Sequence, residues 1–349
     1  MECIENRSLR AGVLDVEEDK AMPLPADEKI VALSERLIQQ FDAIFGLHAG
    51  FRPAHAKGLL VTGLFTPSPG GSKLTCAPHV TRASTPVTVR FSNSTGIPVL
   101  PDNDPNADPR GLAIRFHLAE HVHTDIVSHS TDGFPTRTGE EFLEFLQAVA
   151  ESGSSQASPS PIEKFLGAHP AALAFVQTPK PMPASFATER YFGVTAMRFT
   201  NQKGLSRYGR YRIVPESGEE HLGPDEAKTK DADFLFNEIK QRLESRPVEF
   251  RIAVQLANFG DTVNDATIHW PDDRETVELG TVALSAIAPD NAREQQNIIF
   301  DPIPRVEGIE PSDDPLLELR AAVYLLSGRR RRKAVKPEDA SRAAATVQR

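Results

Sequence analysis

The chain has 349 residues, 40% of them apolar and 25% charged, and a formal net charge of −9. That balance is ordinary for a globular protein with material for a large core, and the acidic surplus argues against a nucleic-acid binder, which needs clustered cations. Length alone allows about two domains, yet large β-barrels of this size form single units, and no apolar run approaches the roughly 20 residues that span a bilayer.

The N-terminal stretch MECIENRSLRAGVLDVEEDK is charged and has no apolar core of a secretory signal. Cys3 and Cys76 lie far apart and match no metal or redox spacing, so free thiols in a reducing compartment are expected. The final Val347-Gln348-Arg349 does not match the peroxisomal tripeptide. A cytoplasmic protein is expected, with no membrane and no nucleic-acid partner. Residues 1–26 read as a loose arm, 27–333 as one domain and 334–349 as a polar tail.

Residues 31–46 place apolar side chains every three or four positions and end at Gly46, which predicts an amphipathic helix. Strand-like runs follow at 59–66, 86–92, 111–118 and 123–129. A helix is expected over 138–150, with Glu140 and Glu141 well placed in its first turn. The proline- and serine-rich connection 153–185 is expected to wrap the surface. Further strands are predicted at 194–200, 206–214, 248–258 and 277–287, with a helix at 228–245 between two of them and a last helix at 314–327. No βαβ alternation appears, which argues against a parallel sheet. Eight antiparallel strands can close into a barrel that side chains fill, with helices outside. The predicted class is therefore α+β, mainly β.

Rossmann, P-loop, zinc-helix and nucleophile-elbow motifs are all absent. More informative is EPSDDPLLELRAAVYLLSGRRRR, 310–332, where Ser312, Asp313 and Asp314 precede Pro315 as a strong helix start. Arg320 and Tyr324 then stand four residues apart on one helical face. Such a pair is either a cation stacked beside a ring or a phenolate poised as an axial haem ligand. A free phenol titrates near pH ~10, and a guanidinium one turn away favours the phenolate. On composition alone, the basic run Arg329–Lys333 reads as solvated chain after a helix.

These residues, taken with others upstream, resemble the haem catalases and their shortened relatives, the catalase-related peroxidases. The likeness runs in order from about 45 to 332. It includes RPAHAKG (52–58), TPVTVRFSNSTG (85–96), DPRGLAIRFH (108–117), TDIVSHSTDGFP (124–135), FNEIKQRLESRPVEFRIAVQ (236–255), IIFDP (298–302) and PSDDPLLELRAAVY (311–324). The resemblance implies a catalase-type eight-stranded barrel with haem b held between barrel and C-terminal helix. It implies that His55 is the distal acid–base, that Tyr324 is the proximal iron ligand and that Arg320 is its partner. Arg52, Arg90 and Arg331 would meet the haem propionates, with Arg330 a competitor for the last role. Ser92 would orient His55, and Phe134 and Phe142 would flank the haem, although both also fit as ordinary core aromatics. Without that context, His55 reads first as a packed barrel residue.

Departures from the family pattern narrow the expectation. His129 occupies the position of a distal asparagine, and an imidazole is both donor and acceptor there. As a catalytic residue His129 is expected to weaken two-peroxide disproportionation relative to single-peroxide chemistry; the plainer alternative is a histidine turned away into a polar network. Ala54 and Ser94 are small where full-length catalases are bulkier, which implies access for larger molecules. The chain ends soon after the proximal helix, so no NADPH site is expected, and a homodimer is. The expected activity is a haem peroxidase that cleaves hydrogen peroxide or organic hydroperoxides and oxidises a small organic donor. Rearrangement of fatty-acid hydroperoxides, a role in secondary metabolism, and true catalase disproportionation are the alternatives on the same fold, with a non-catalytic haem sensor as the rival from another class.

Overall fold

Alternation along the chain decides which side chains enter the barrel. In the structure, a computed structural model describing residues 22–334, strand β1 spans Gly58–Pro67, β2 Thr85–Ser92, β3 Gly111–Ala119 and β4 Val122–His129. Leu59, Val61 and Phe65 of β1, Val87, Val89 and Phe91 of β2, and Leu112, Ile114 and Phe116 of β3 form one buried core. The intervening positions, Arg90, Ser92, Gly111, Ala113, Val127 and His129, face outward and line a cavity instead. A slip of one residue in register would exchange the two sets, so the core chemistry fixes where the site residues point. Each fully buried Phe or Leu contributes about 2 kcal/mol to holding that register.

Strands β5 (Tyr191–Phe192), β6 (Met197–Thr200), β7 (Ser206–Pro215), β8 (Val248–Leu256), β9 (Thr276–Ile287) and β10 (Ile309–Pro311) complete the sheet. The neighbour order is β10-β6-β7-β5-β4-β3-β2-β1-β9-β8, and β7 pairs again with β8. That last pairing closes a ring of β7, β5, β4, β3, β2, β1, β9 and β8, all antiparallel, with β6 and β10 as an extension. The expected eight-stranded antiparallel barrel with outer helices is the fold observed.

Local boundaries differ for physical reasons. The strand expected at 194–200 begins only at Met197, and an unexpected short strand precedes it: Phe192 pairs with both His129 and Arg212, whereas Met197 pairs farther along β7, with Gly209. Val194, between them, turns into the cavity. The helix expected over 228–245 is broken into Pro224–Lys228 and Phe234–Ser245. At the start of the second piece, the Leu235 N–H bonds the Asp102 carboxylate at 3.0 Å. The connection 153–185 contains two short helices, Pro161–Ala168 and Pro170–Gln177, the first closed by a Ser160/Glu163 capping box.

Four helices position the site: α1 (Glu28–Phe45), α2 (Gly139–Ser152), α3 (Asn291–Asn297) and α4 (Pro315–Lys333). Helix α1 begins at Asp27, whose side chain accepts from Lys29 N–H, and α4 at Asp314, which caps Leu316 N–H. Helix α4 runs past the expected end at 327 to Lys333, which overturns the reading of Arg329–Lys333 as solvated chain: Arg331 is 3% exposed and Arg330 pairs with Asp42 on α1. Of the expected arm, Met22 packs on the barrel core; residues 1–21 and 335–349 of the expected arm and tail lie outside the described residues. No helix among the described residues is long and apolar enough to cross a membrane.

Candidate active site

One cavity of about 240 Å³, bounded by the outward faces of β2, β3 and β4 and by α1, α2 and α4, is lined by His55, His129, Arg52, Arg90, Ser92, Phe134, Phe142, Arg320, Tyr324 and Arg331. Every site residue expected from the sequence therefore meets the others, although they span 52 to 331.

His55 sits in the loop before β1 with φ 56, a left-handed backbone rare for a side chain-bearing residue. Its N–H bonds Ser94 O at 2.8 Å and Ala56 N–H bonds Thr95 O at 2.9 Å, so the turn is pinned from both sides. Holding that conformation costs of order 1 kcal/mol or more, a pattern common at functional sites. Nδ1 shares a hydrogen bond with Ser92 Oγ at 3.1 Å, leaving Nε2 for the cavity. The ring fits because β3 has glycine opposite: a Cβ at Gly111 would lie 2.8 Å from His55 Nδ1 and 2.4 Å from Ser92 Oγ. Burial, reinforced by Arg90, His129 and Arg52, pushes the His55 pKa down to about 3, so the imidazole is neutral at neutral pH.

His129 ends β4 as the cross-strand partner of Gly111. Its Nδ1 accepts the Thr131 N–H at 3.3 Å. Burial, then Arg320, lowers its pKa to about 4. The ring borders the cavity. Of the two small positions, Ala54 lines the cavity, whereas Ser94 contributes its carbonyl to His55 and is absent from the lining.

Tyr324 on α4, which also lines the cavity, receives a hydrogen bond from Arg320 Nη2 at 3.3 Å, and the guanidinium lies 5.8 Å from the ring centre. The pair combines an end-on donor to the oxygen with a cation beside the ring. Phe134 and Phe142 stand 4.9 Å apart at 49°, and Phe41 of α1 extends the apolar wall.

Arg52, Arg90 and Arg331 converge on segment 295–298. Arg52 donates to Gln295 O and Ile298 O, Arg90 to the Gln295 side chain and to His55 O, and Arg331 to Ile298 O and Ser327 Oγ. Among the described residues, no carboxylate balances the three. Burial holds Arg52 down to about 10, and it pushes Arg90 and Arg331 well below the ordinary range, their mutual repulsion adding to it. Buried unpaired cations are costly, so a ligand carrying two carboxylates beside a flat apolar body fits this cavity, and haem has that chemistry. Arg330 points elsewhere, bidentate to Asp42, and of the two Arg331 is the one that lines the cavity.

Sequence reasoning missed Gln295, which binds Arg90 and donates to Gly58 O, and Ser327, which accepts from Arg331. It missed Gly111 as the space for the His55 ring. Leu37 and Phe41 of α1 were also missed as lining. Gln295 and Gly111 gave no local signal, since both act across long sequence separations; the apolar face of α1 was visible, its destination was not.

A family model described as Catalase matches residues 47–336. Among curated proteins, the chain is 36% identical over 297 residues to the catalase-related peroxidase of Mycolicibacterium paratuberculosis, covering 83% of this chain and 92% of that one. It is 32% identical over 297 residues to the catalase-related peroxidase of Synechococcus elongatus, covering 84% and 87%. Catalase A from Saccharomyces cerevisiae superposes with a TM-score of 0.73 at 20% identity, covering 81% of this chain and 62% of that structure.

Proposed function

Because the chain belongs to the catalase family, we propose that it is a haem peroxidase, cleaving hydrogen peroxide or an organic hydroperoxide and oxidising a small organic donor. The observation that carries this reading is the cavity itself, lined by both His55 and Tyr324, with three uncompensated arginines gathered at one segment. Relatives named as catalase-related peroxidases over most of their length support the peroxidase activity.

In this reading Tyr324 is the protein ligand to iron, and Arg320 donates a hydrogen bond to the same oxygen. Arg52, Arg90 and Arg331 hold the two propionates, where arginine forks match carboxylates. Iron protoporphyrin IX, when bound, supplies the two electrons that a breaking O–O bond takes up, and the organic donor restores them. His55 takes the proton of one peroxide oxygen at Nε2 and returns it to the other, which leaves as water or alcohol without passing through free hydroxide. Its depressed pKa keeps it unprotonated and ready as the base. Ser92 holds the ring by Nδ1.

Two variants test the assignment. Tyr324→Phe is expected to lose the ferric haem spectrum through gel filtration. His55→Ala is expected to keep it and cleave peroxide about 10²–10⁴-fold more slowly. Vigorous O2 release with no oxidation of an added aromatic donor would overturn the peroxidase reading. The apolar wall of Leu37, Phe41, Phe134, Phe142 and Val194 suits the flat body of the haem. Consumption of a fatty-acid hydroperoxide without any reductant would instead mark the chain as a rearranging enzyme.

A further inference from the structure

His55 and His129 flank the same glycine. The His55 ring rests against Gly111, where a Cβ would be 2.8 Å from Nδ1, and His129 is the direct cross-strand partner of Gly111. Directly opposed residues of an antiparallel pair have Cα atoms about 5 Å apart. Two imidazoles therefore border one end of the cavity, and their hydrogen bonds differ in kind.

The Nδ1 atom of His129 accepts from the Thr131 backbone N–H at 3.3 Å. A backbone amide has only a proton to offer, so Nδ1 is the lone-pair nitrogen and the neutral ring carries its proton on Nε2. Among the described residues no other hydrogen bond or ion pair engages this ring, and it borders the cavity. Burial and the Arg320 charge oppose a second proton. The ring is thus a fixed N–H donor with nothing left to accept a proton. His55 is different: Ser92 Oγ is an ambivalent partner for its Nδ1, so Nδ1 can hold the proton while Nε2 accepts one.

We propose that His129 is the hydrogen-bond donor of this active site, its tautomer set by the Thr131 amide, and that it holds the peroxide oxygen on which charge develops while His55 moves the proton. The inference rests on the haem peroxidase reading and deepens it by dividing labour between two histidines. His129 transfers no proton, so its contribution is a preorganised dipole rather than acid–base chemistry, and it grows as the O–O bond lengthens. The device also explains how a histidine serves where the family resemblance led us to expect an asparagine: with Nδ1 occupied, the ring presents the donor half of an amide and withholds a competing base.

The test compares the haem-loaded wild type with His129→Leu and His129→Asn. In the ferric cyanide complex, ¹⁵N-labelled histidine is expected to show His129 as the Nε2–H tautomer, with an exchange-protected ring proton lost in His129→Leu. Cyanide should bind about 10-fold more weakly to His129→Leu, and peroxide cleavage should slow by about 10²-fold with KM for the organic donor unchanged. His129→Asn should recover most of both. An Nδ1–H tautomer, or His129→Leu binding cyanide as tightly as wild type, overturns the assignment while leaving the peroxidase reading intact. A wild type that retains no haem would overturn both.

Discussion

The imidazole of His79 lies 4.6 Å from the Phe116 ring and 5.9 Å from Phe65, is 1% exposed, and has no partner for either nitrogen. Burial alone lowers its pKa from 6.5 to about 4. Below pH 6.5 the unfolded chain takes up a proton that the folded one refuses, so the stability present above 6.5 drains away as pH falls towards 4. Between pH 7 and 5 this one residue should cost about 2 kcal/mol. His79→Phe, which suits an aromatic niche, is expected to remove that slope and raise stability at both pH values. Urea unfolding at pH 7 and 5 checks it; an unchanged pH dependence would mean the ring is hydrated or paired in solution. His55 and His129 are lowered similarly, yet they face a cavity rather than a packed core. The sequence did not separate these cases: HAK, SHS and PHV look alike until the register of β2–β4 and the turn at Ser94 decide what each ring meets.

At the level of elements, the strands were legible because alternation records burial directly, and β1 to β4 fall within a residue or so of their expected limits. The length of α4 was not, because charge in a helix's last turn reads as an exposed end, whereas carbonyls of segment 296–298 take up Arg331 and Arg332. The residue that follows this segment, Ile299, explains Gly328. A Cβ there would lie 2.2 Å from Ile299 Cδ1, and Ile299 lines the cavity on its other side. Gly328→Ala gains about 1 kcal/mol of helix propensity but drives Ile299 towards the haem space, an overpacking cost of about 1–3 kcal/mol. The net expectation is a lower melting temperature for the haem-loaded protein and faster haem loss. Adding Ile299→Val should restore part of both, measured as a double-mutant cycle; purely additive effects would place the strain elsewhere.

For the whole molecule, the question is how a chain with net charge −9 keeps three arginines without acids in its interior. Arg52 is the most telling of them, since its charge depresses Arg90, Arg331 and His55 alike. Of the carbonyls it binds, Ile298 O also receives Arg331 at 2.8 Å. Replacing it with methionine therefore removes a buried cation, relieves two others and leaves one of its acceptors satisfied. In the haem-free protein Arg52→Met should be stabilising, by about 1–4 kcal/mol on the precedent of buried charges replaced by apolar residues. With haem bound the sign should invert, because a charge-assisted bond to a propionate is lost and affinity falls about 10-fold or more. Melting temperatures of the two proteins, with and without haem, give four numbers whose crossing is the signature. If Arg52→Met were destabilising by the same amount in both forms, the arginine would be a prop for segment 295–298, and the argument that this fold stores positive charge for a dicarboxylate cofactor would fail.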